Sequence, residues 1–241
     1  MGTFKGWTRE GQQLWYESSD EFPTGQIDYL GNGFIISNTI NNINLFQIGV
    51  GAGTNRVKFI KQLVGWAATT DGIGIAVNHT RLDLGDDWQK SDPGFDGLQH
   101  YVGRRFGTDA IAYDIQLRDH STGTSRFVHQ LQVLGVTIIR CMAWDGHYLW
   151  ALTSGEANAV RQLDVGHVSG VGHIVKLYST SLVFTDMCFD GHQFWTITGT
   201  GGDVRCHDPD RWNAGKVIWS HGLTNPKGLT FDGRQLITLS N

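Results

Sequence analysis

Cysteine, proline and charged residues are all scarce in this sequence. Its 241 residues include three cysteines and four prolines, and only 17% of them are charged. Cys141, Cys188 and Cys206 are odd in number and form no CxxC pair, which excludes a disulfide framework and predicts free thiols. The net charge of −4 provides no general attraction to nucleic acid, so no nucleic-acid partner is expected.

Long apolar segments are missing as well. No apolar run approaches the roughly 20 residues that a membrane-spanning helix requires, so we expect no membrane insertion. The first residues, Met1–Trp7, do not form an apolar signal segment, which predicts a protein made without a classical secretion signal.

Glycine is abundant, and its distribution indicates sheets joined by tight turns. The sequence has 32 glycines, and no helical period persists over three turns. Few charges, many glycines and short alternating segments are typical of an all-β protein.

A unit of about 40 residues repeats along the chain, and it is clearest in the C-terminal half. Each copy begins with an aromatic or aliphatic strand, continues through Asp-Gly and enters a second strand. Asp145, Asp190 and Asp232 mark the turns and are 45 and 42 residues apart. The three copies are CMAWDGHYLW (Cys141–Trp150), DMCFDGHQFW (Asp186–Trp195) and GLTFDGRQLI (Gly228–Ile237).

The repeat predicts a four-stranded blade. Asp-Gly supplies the positive φ of a tight hairpin, so Gly146 and Gly191 are expected to have positive φ. Two more strands follow in each unit, and the predicted third strands are Ala159–Asp164, Asp203–Asp208 and Gln26–Asp28. One such blade cannot bury both of its faces, so the blades must stack around a ring.

Weaker copies extend the pattern toward the N-terminus. They begin near Gly6, Gly65 and Arg105. The predicted second strands of the last two copies are Ile73–Val77 and Ala110–Ile115. We therefore predict about six blades, with five or seven as alternatives. Asn32-Gly33 belongs to the first blade or begins another. The chain ends after two strands of the last unit, so either that blade is short or other segments complete it. The predicted inner strands begin at Gly6, Gly65, Cys141, Asp186 and Gly228.

The blade opening resembles those of NHL-type and Kelch-like β-propellers. The resemblance rests on the Gly-Leu-Thr-Phe-Asp-Gly type of motif and extends from Gly6 to Asn241, more weakly between Gly31 and Val64. It implies one β-propeller domain over residues 1–241. The Gly-His and Trp-Asp signatures of WD repeats are missing at their proper places, as is the Asp box of sialidase-like propellers. Fold does not define function.

No residue can be assigned a catalytic or metal-binding role from the sequence. His147 and His192 follow two Asp-Gly turns at equivalent positions, but a shared metal would require a third converging ligand. The acidic segment from Asp83 to Asp96 lacks the spacing of an EF-hand, so a solvated loop is the simpler interpretation. Gly49–Gly53 is not followed by the Lys-Ser/Thr of a phosphate loop. We expect no cofactor.

Binding residues are predicted in the loops that enter inner strands and join second to third strands. These loops are rich in Gly, Ser, Thr and Asn, which bind sugars or protein backbone without large charge. Two tryptophans in polar loops are further candidates for stacking on a ligand. The predicted contact residues are Asp20, Glu156, Asn158, Asp203, Asn225, Trp88 and Trp212.

Two functional interpretations remain open. The first is a non-enzymatic recognition or assembly module, because low charge and abundant Gly, Thr and Asn suit a component of a virus particle such as a phage tail, spike or fibre. It would bind a host surface glycan or a neighbouring virion protein, and it would be located in the virion or on an extracellular surface. The second is a lyase or hydrolase at one face of the central channel; cytoplasmic location is the alternative.

Overall fold

A computed structural model describes most of the chain, and the fold follows from those residues. The described residues are 2–19, 22, 27–31, 33–38, 43–49, 56–63, 75–78, 99–105, 112–119, 126–134, 138–154, 158–164, 170–171, 173–199, 202–212, 216–220, 223 and 225–240. The predicted copies near Gly65, Asp71 and Asp109 lie outside these residues. Within the described part, no helix is long and apolar enough to cross a membrane.

The described residues form β-strands almost throughout. The strands are β1 (Gly2–Trp7), β2 (Gln13–Ser19), β3 (Ile27–Gly31), β4 (Phe34–Asn38), β5 (Ile43–Ile48), β6 (Val57–Leu63), β7 (Ile75–Asn78), β8 (Gln99–Arg105), β9 (Ala112–Asp119), β10 (Arg126–Leu134), β11 (Ile138–Trp144), β12 (Leu149–Ser154), β13 (Ala159–Asp164), β14 (Gly170–Val171), β15 (His173–Ser179), β16 (Phe184–Phe189), β17 (Phe194–Thr198), β18 (Asp203–His207), β19 (Lys216–Ser220), β20 (Pro226–Phe231) and β21 (Leu236–Ser240).

These strands make five sheets, which we call blades. Blade 1 is β3–β6, blade 2 is β7–β10, blade 3 is β11, β12, β13 and β15, and blade 4 is β16–β19. The closing blade has the order β2-β1-β21-β20. Each blade has four antiparallel strands, and in blade 2 the short β14 is added in parallel to the outer strand β10. The chain is therefore an all-β protein with the predicted four-stranded units.

The first strand of each blade lies around a common axis. Contacts join β11 to β16, β16 to β20, β20 to β3, β3 to β7, and β7 to β11, which closes a ring. The described residues thus form a five-bladed propeller, one of the two alternatives to the favoured number of six. The inner strands predicted from Cys141, Asp186 and Gly228 are confirmed as β11, β16 and β20.

The inner strand predicted from Gly6 is wrong. Gly6 lies on β1, which is the third strand of the closing blade and pairs with β21 on one side and β2 on the other. The N-terminal hairpin therefore completes the two-stranded last unit and is not a sixth blade. Its similarity to the repeat arises because Gly11, with φ +89°, makes a tight turn of its own between two alternating strands.

The assignments after this hairpin change with it. Ile27 and Asp28 belong to β3, the first strand of blade 1, although they were predicted in a third strand. Gly33 has φ +80° in the hairpin from β3 to β4, so this turn belongs to a blade of its own, separate from the N-terminal hairpin. Ile75–Asn78 and Ala112–Asp119 are a first and a third strand, where second strands were predicted. Any hairpin of a blade carries the strand-turn-strand pattern, which does not specify its place in the blade.

Aromatic side chains fill the wedge between neighbouring blades. Between blade 4 and the closing blade, the rings of Trp7 and Trp219 lie 4.8 Å apart, together with Trp195 and Leu229. Between the closing blade and blade 1, the rings of Phe4 and Phe46 lie 5.6 Å apart. The tryptophans on the described strands are buried: Trp7, Trp15, Trp144, Trp150, Trp195 and Trp219. These contacts hold each blade to the next.

Candidate functional site

The strand order gives the ring two different ends. First and second strands are joined at one end, which we call the turn face. Because successive strands are antiparallel, the connections from second to third strands and from one blade to the next lie at the opposite end, the loop face. The predicted binding loops belong to the loop face, and the Asp-Gly pairs belong to the turn face.

The Asp-Gly carboxylates of the turn face are used inside their own hairpins. Oδ1 of Asp190 accepts hydrogen bonds from the backbone N–H groups of His192 and Gln193, at 2.9 and 2.8 Å. Its Oδ2 accepts a 2.8 Å bond from the indole N–H of Trp195. Asp145 makes the same three contacts in blade 3. These groups therefore stabilise turns. The predicted positive φ of the following glycines is confirmed, at +99° for Gly146 and +96° for Gly191.

One turn carboxylate also joins two blades. A guanidinium nitrogen of Arg9, on the N-terminal hairpin, lies 3.3 Å from Oδ2 of Asp190. The same guanidinium lies over the ring of Phe231, 4.8 Å from its centroid. Burial by itself would raise the pKa of Asp190, but the hydrogen bonds from Trp195, Gln193 and His192 and the charge of Arg9 outweigh it and lower that pKa.

The two equivalent histidines are exposed on this face. His147 and His192 follow their turns as predicted, and both side chains face solvent. Among the residues that the structure describes, no three His, Cys, Asp or Glu side chains come together as metal ligands would. The acidic segment Asp83–Asp96 lies outside the described residues.

Asp186 joins three inner strands near the axis of the ring. Its carboxylate is fully buried, and Oδ2 accepts hydrogen bonds from the backbone N–H groups of Leu229 (2.8 Å) and Ile27 (3.2 Å). The equivalent positions by register are Cys141 and Gly228, which are small and leave room for this side chain. Burial raises the pKa of Asp186 well above its usual range, against the lowering effect of its N–H donors. The axis is therefore held together by one carboxyl group that contacts three blades.

A small cavity lies among the turn-face ends of the inner strands β11, β16 and β20. It measures about 40 Å³, and its lining includes Asp28, Thr230, Cys188 and Phe231. The hydroxyl of Thr230 donates a 2.9 Å hydrogen bond to Oδ1 of Asp28. Burial raises the pKa of Cys188 well above its usual range, and the charges of Asp28 and Asp186 add to the effect, so this thiol stays protonated.

The three cysteines are free thiols, as predicted. Cys141 and Cys188 are buried on inner strands of neighbouring blades, whereas Cys206 is partly exposed on β18. The thiol of Cys206 donates a hydrogen bond to the side-chain oxygen of Gln193, at 2.9 Å.

The prediction that Trp212 stacks on an external ligand is wrong. Its side chain is only 1% exposed and lies in the core between blades 3 and 4. It stacks on the buried imidazole of His207, with ring centroids 5.1 Å apart. The loop folds back over the blade because packing against Trp150 and Phe194 removes the apolar surface of the indole from water.

Three of the predicted contact residues lie at the loop face. Asn158 immediately precedes β13 and is partly exposed, and Asp203 begins β18. Asn225 precedes β20, is exposed, and has φ +45°, the one positive φ of a non-glycine residue in the described part of the chain. Asn158 belongs to the connection between β12 and β13, Asp203 to that between β17 and β18, and Asn225 to that between β19 and β20. Asp20, Trp88 and Glu156 lie outside the described residues.

The connections that carry Asp203 and Asn225 are in contact. Leu223, which is buried, lies against Gly202; a Cβ on that glycine would be 2.8 Å from Cβ of Leu223. A guanidinium nitrogen of Arg205 lies 3.3 Å from Oδ2 of Asp203. The side chains of this pair are 21% and 29% exposed, so both can still reach a ligand. Among the residues that the structure describes, this juxtaposition forms a polar surface on the loop face.

Sequence reasoning missed the channel residues Asp28 and Asp186. Both lie in segments of the predicted repeat, and each was interpreted only as a position of that repeat. The signal in the sequence was an acidic residue between apolar residues of a strand. Such a residue is expected to be buried, and a buried carboxylate needs specific partners. The partners Thr230 and Ile27 are more than 100 residues away in sequence and could not be identified without the ring.

Comparisons with known proteins support the propeller fold. No protein-family model matches the chain, and no curated protein sequence is significantly similar to it. A solved structure of a nidogen/laminin complex contains a chain that is 12% identical with a TM-score of 0.53, covering 99% of this chain and 85% of that one. The PQQ-bound aldose sugar dehydrogenase of Streptomyces coelicolor is 11% identical with a TM-score of 0.51, covering 100% and 98%. Likeness at this identity shows the fold alone.

Proposed function

We propose that the chain is a non-enzymatic recognition propeller that binds a neutral polar partner, either a glycan or the backbone of another protein, with its loop face. The observation that carries the proposal is the contact between the connections of Asp203 and Asn225. It brings a carboxylate, a guanidinium and an exposed amide to one edge of the loop face. Such groups donate and accept hydrogen bonds without a large net charge.

The backbone under Asn225 supports this role. Leu223 and Pro226 are buried on either side of the exposed asparagine, so its amide extends from an anchored segment. A ligand that hydrogen-bonds this amide would not have to order the loop first, which lowers the entropic cost of binding. Asparagine also tolerates the left-handed region better than most residues.

The structural neighbours are consistent with both functional classes. One neighbour is part of a protein complex and the other is a dehydrogenase. The recognition class is favoured here because the carboxyl group of Asp186 is buried and hydrogen-bonded between blades, whereas the polar groups of Asp203 and Arg205 on the loop face remain partly exposed.

A place on a virus particle is the second part of the proposal. It is supported by composition: 17% charged residues and 32 glycines in 241 suit a particle component such as a tail, spike or fibre. Its partners would be a host surface glycan or a neighbouring protein of the particle. Weak binding at each copy would be strengthened by the many copies of a symmetric particle.

Glycan-array binding tests the glycan version. We expect weak, saturable binding by the wild type and loss of binding in the double variant Asp203→Ala/Asn225→Gly, where glycine keeps the positive φ. The matched control is His147→Ala/His192→Ala on the turn face, which should bind as the wild type does. If the wild type binds no glycan, hydroxyl-radical footprinting of the native assembly decides the protein version. A loop face that remains fully accessible there would refute the proposal.

A further inference from the structure

The outermost strand of each blade has one backbone edge at the rim of the ring. Around the ring these strands are β6, β10, β15, β19 and β2. Unpaired edges present N–H and C=O groups to which a strand of another chain can add, and natural proteins protect them with charged side chains, proline or a covering segment. The rim lies between the loop face and the turn face, and the inference does not depend on the proposed function.

Four of these five outer edges carry such protection. The edge of β10 is covered by β14, which pairs with it in parallel. β2 has the sequence QLWYESS, with no lysine, arginine or proline, and is the one outer edge among the described blades that lacks a protecting residue. The other three edges contain lysines, which keep approaching strands apart: Lys58 and Lys61 in β6, Lys176 in β15 and Lys216 in β19.

The single charge of β2 is used within the chain. Oε2 of Glu17 accepts a 2.7 Å hydrogen bond from the backbone N–H of Val57, at the start of the outer strand of blade 1. The carboxylate is therefore held toward the neighbouring blade and does not guard the edge of β2.

Two apolar side chains of β2 face solvent. Leu14 is 50% exposed and Tyr16 is 68% exposed, the highest value among the large hydrophobic side chains that the structure describes. Trp15 between them is only 8% exposed, so Leu14 and Tyr16 both point away from the core. The pairing of β2 with β1 is regular from Trp15 to Ser19, and its bulge lies near Gln13. The strand around Tyr16 is thus a regular edge with an exposed aromatic ring.

β2 is complementary to a second copy of itself. Tyr16 is the middle residue of this seven-residue strand. When two copies pair in antiparallel orientation about a two-fold axis at Tyr16, their full lengths overlap and the two Tyr16 residues lie opposite each other. Opposite aromatic pairs stabilise antiparallel strands, and Leu14 lies diagonally next to Tyr16 of the other copy. No like charges come together, because the remaining opposite pairs are Trp15–Glu17, Leu14–Ser18 and Gln13–Ser19.

The positive charge of Lys5 does not prevent this pairing. Lys5 lies opposite Tyr16 on β1, and its Nζ lies 5.8 Å from the centroid of the Trp7 ring. In the paired copies the two Lys5 residues would be three strand spacings apart, which is about 14 Å. This distance exceeds the Debye length of about 8 Å at physiological salt, so their repulsion is largely screened.

We propose that the chain forms a two-fold dimer in which β2 pairs with β2 of a second copy and joins the two closing blades into one eight-stranded antiparallel sheet. The same surface is used on both copies, so the contact is closed and stops at two chains. It is one strand wide and smaller than the standard interface of about 1,600 Å², so the dimer is weak and forms at high local concentration.

Analytical ultracentrifugation of the full chain tests the dimer. Between about 1 µM and about 1 mM protein, we expect the average mass of the wild type to rise from one chain toward two. Tyr16→Lys places two like charges opposite each other and should weaken self-association at least about tenfold. Leu14→Lys should weaken it as well. The matched control is Leu177→Lys on the outer strand β15: its side chain is 56% exposed, and the variant should dimerise as the wild type does.

Disulfide cross-linking tests the register. Cysteines replace Tyr16, Ser18 or Leu177 singly in a Cys206→Ser background, which removes the partly exposed native thiol. Opposite residues of antiparallel strands have Cβ atoms about 4.5–5.5 Å apart, so Tyr16→Cys should form a covalent dimer on mild oxidation. Two cysteines at position 18 would be offset by four residues, about 14 Å, so Ser18→Cys should not cross-link. Leu177→Cys, on another blade, should not cross-link either.

The results separate the dimer from the alternatives. A concentration-dependent dimer that Tyr16→Lys weakens and Leu177→Lys preserves, with cross-linking of Tyr16→Cys alone, supports the proposal. A wild type that stays monomeric up to about 1 mM would overturn it and would leave the edge for a strand of another protein. A dimer that neither Tyr16→Lys nor Leu14→Lys weakens would also overturn it, as would equal cross-linking of Tyr16→Cys and Ser18→Cys. Urea unfolding of each variant verifies that it is folded.

Discussion

The carboxylate of Asp186 accepts a 3.2 Å hydrogen bond from the backbone N–H of Ile27, which lies two blades away around the ring. The same oxygen accepts a 2.8 Å bond from Leu229 in the blade between them. A single side chain therefore joins blade 4, the closing blade and blade 1 at the axis. A buried donor that loses its acceptor keeps its full desolvation cost, so this joint should be sensitive to mutation.

Removal of the Asp186 carboxyl should destabilise the whole ring. Asp186→Ala leaves buried N–H groups of Ile27 and Leu229 without an acceptor, and we expect it to lower the free energy of unfolding by about 3–5 kcal/mol. Asp186→Asn keeps an acceptor oxygen and should lose less than half as much. Urea unfolding measures both, with Asp208→Ala as the exposed control. A loss in Asp186→Ala no larger than that of the control would contradict the arrangement.

The stability of the protein should fall in mild acid because of His207. This side chain is fully buried, its Nδ1 donates to the carbonyl of Trp212 at 3.2 Å, and Nε2 accepts from the hydroxyl of Thr196 at 2.9 Å. Burial lowers the pKa of His207 from 6.5 to about 4, so the imidazole is neutral in the folded protein at pH 7.

The sign of the effect follows from proton binding. Between pH 6.5 and 4 the unfolded chain binds a proton at His207 that the folded chain does not. The contribution of His207 to the free energy of unfolding is therefore fully present above pH 6.5 and is lost as the pH falls toward 4. The lowered pKa corresponds to about 3 kcal/mol. Urea unfolding at several pH values measures this loss as the difference between wild type and His207→Gln. The exposed control His192→Gln should show the same change of the free energy of unfolding with pH as the wild type. If that pH dependence is also unchanged in His207→Gln, His207 is not its source.

The turn glycines were predictable because their requirement is local. Asp-Gly specifies a positive φ within four residues, and Gly146 and Gly191 have it. The place of a hairpin within the ring is a long-range property. Gly6 to Trp15 matches the repeat in letters, yet it forms the outer half of a blade because β1 pairs with β21 at the other end of the chain. Trp212 likewise follows polar residues, and its burial depends largely on rings that are distant in sequence, such as those of Trp150 and Phe184.

Gly191 and Gly11, two turn glycines with positive φ, should respond differently to replacement by alanine. A Cβ on Gly191 would meet nothing within 4 Å, so Gly191→Ala has only the cost of a positive φ, about 1 kcal/mol. Gly191→Val should cost more than Gly191→Ala. At Gly11, which also has a positive φ, a Cβ would overlap the ring of Trp219, so Gly11→Ala should cost about 2–4 kcal/mol. Urea unfolding measures the loss of stability in each variant. If Gly11→Ala and Gly191→Ala lower the free energy of unfolding equally, the N-terminal turn does not contact Trp219.

The last prediction concerns closure of the ring by the N-terminal hairpin. The indole N–H of Trp7 donates a 2.9 Å hydrogen bond to the buried hydroxyl of Thr238 on β21, and its ring contacts Trp219 of blade 4. Trp7→Leu removes the bond, leaves that hydroxyl buried and opens a cavity between two blades. We expect a loss of about 3–5 kcal/mol in the free energy of unfolding.

Limited proteolysis shows whether that loss comes from closure. If β1 and β2 complete the closing blade, Trp7→Leu should release fragments cut within residues 2–19 before the rest of the chain is degraded, because the hairpin detaches first. Tyr16→Leu is the control on the same hairpin: its side chain is 68% exposed, so stability should change by no more than about 0.5 kcal/mol. If early cleavage in Trp7→Leu instead began in β16 or β20, the N-terminal strands would not be the element that closes the ring. The closing blade would then consist of β20 and β21 alone, although a two-stranded hairpin by itself is only marginally stable in water.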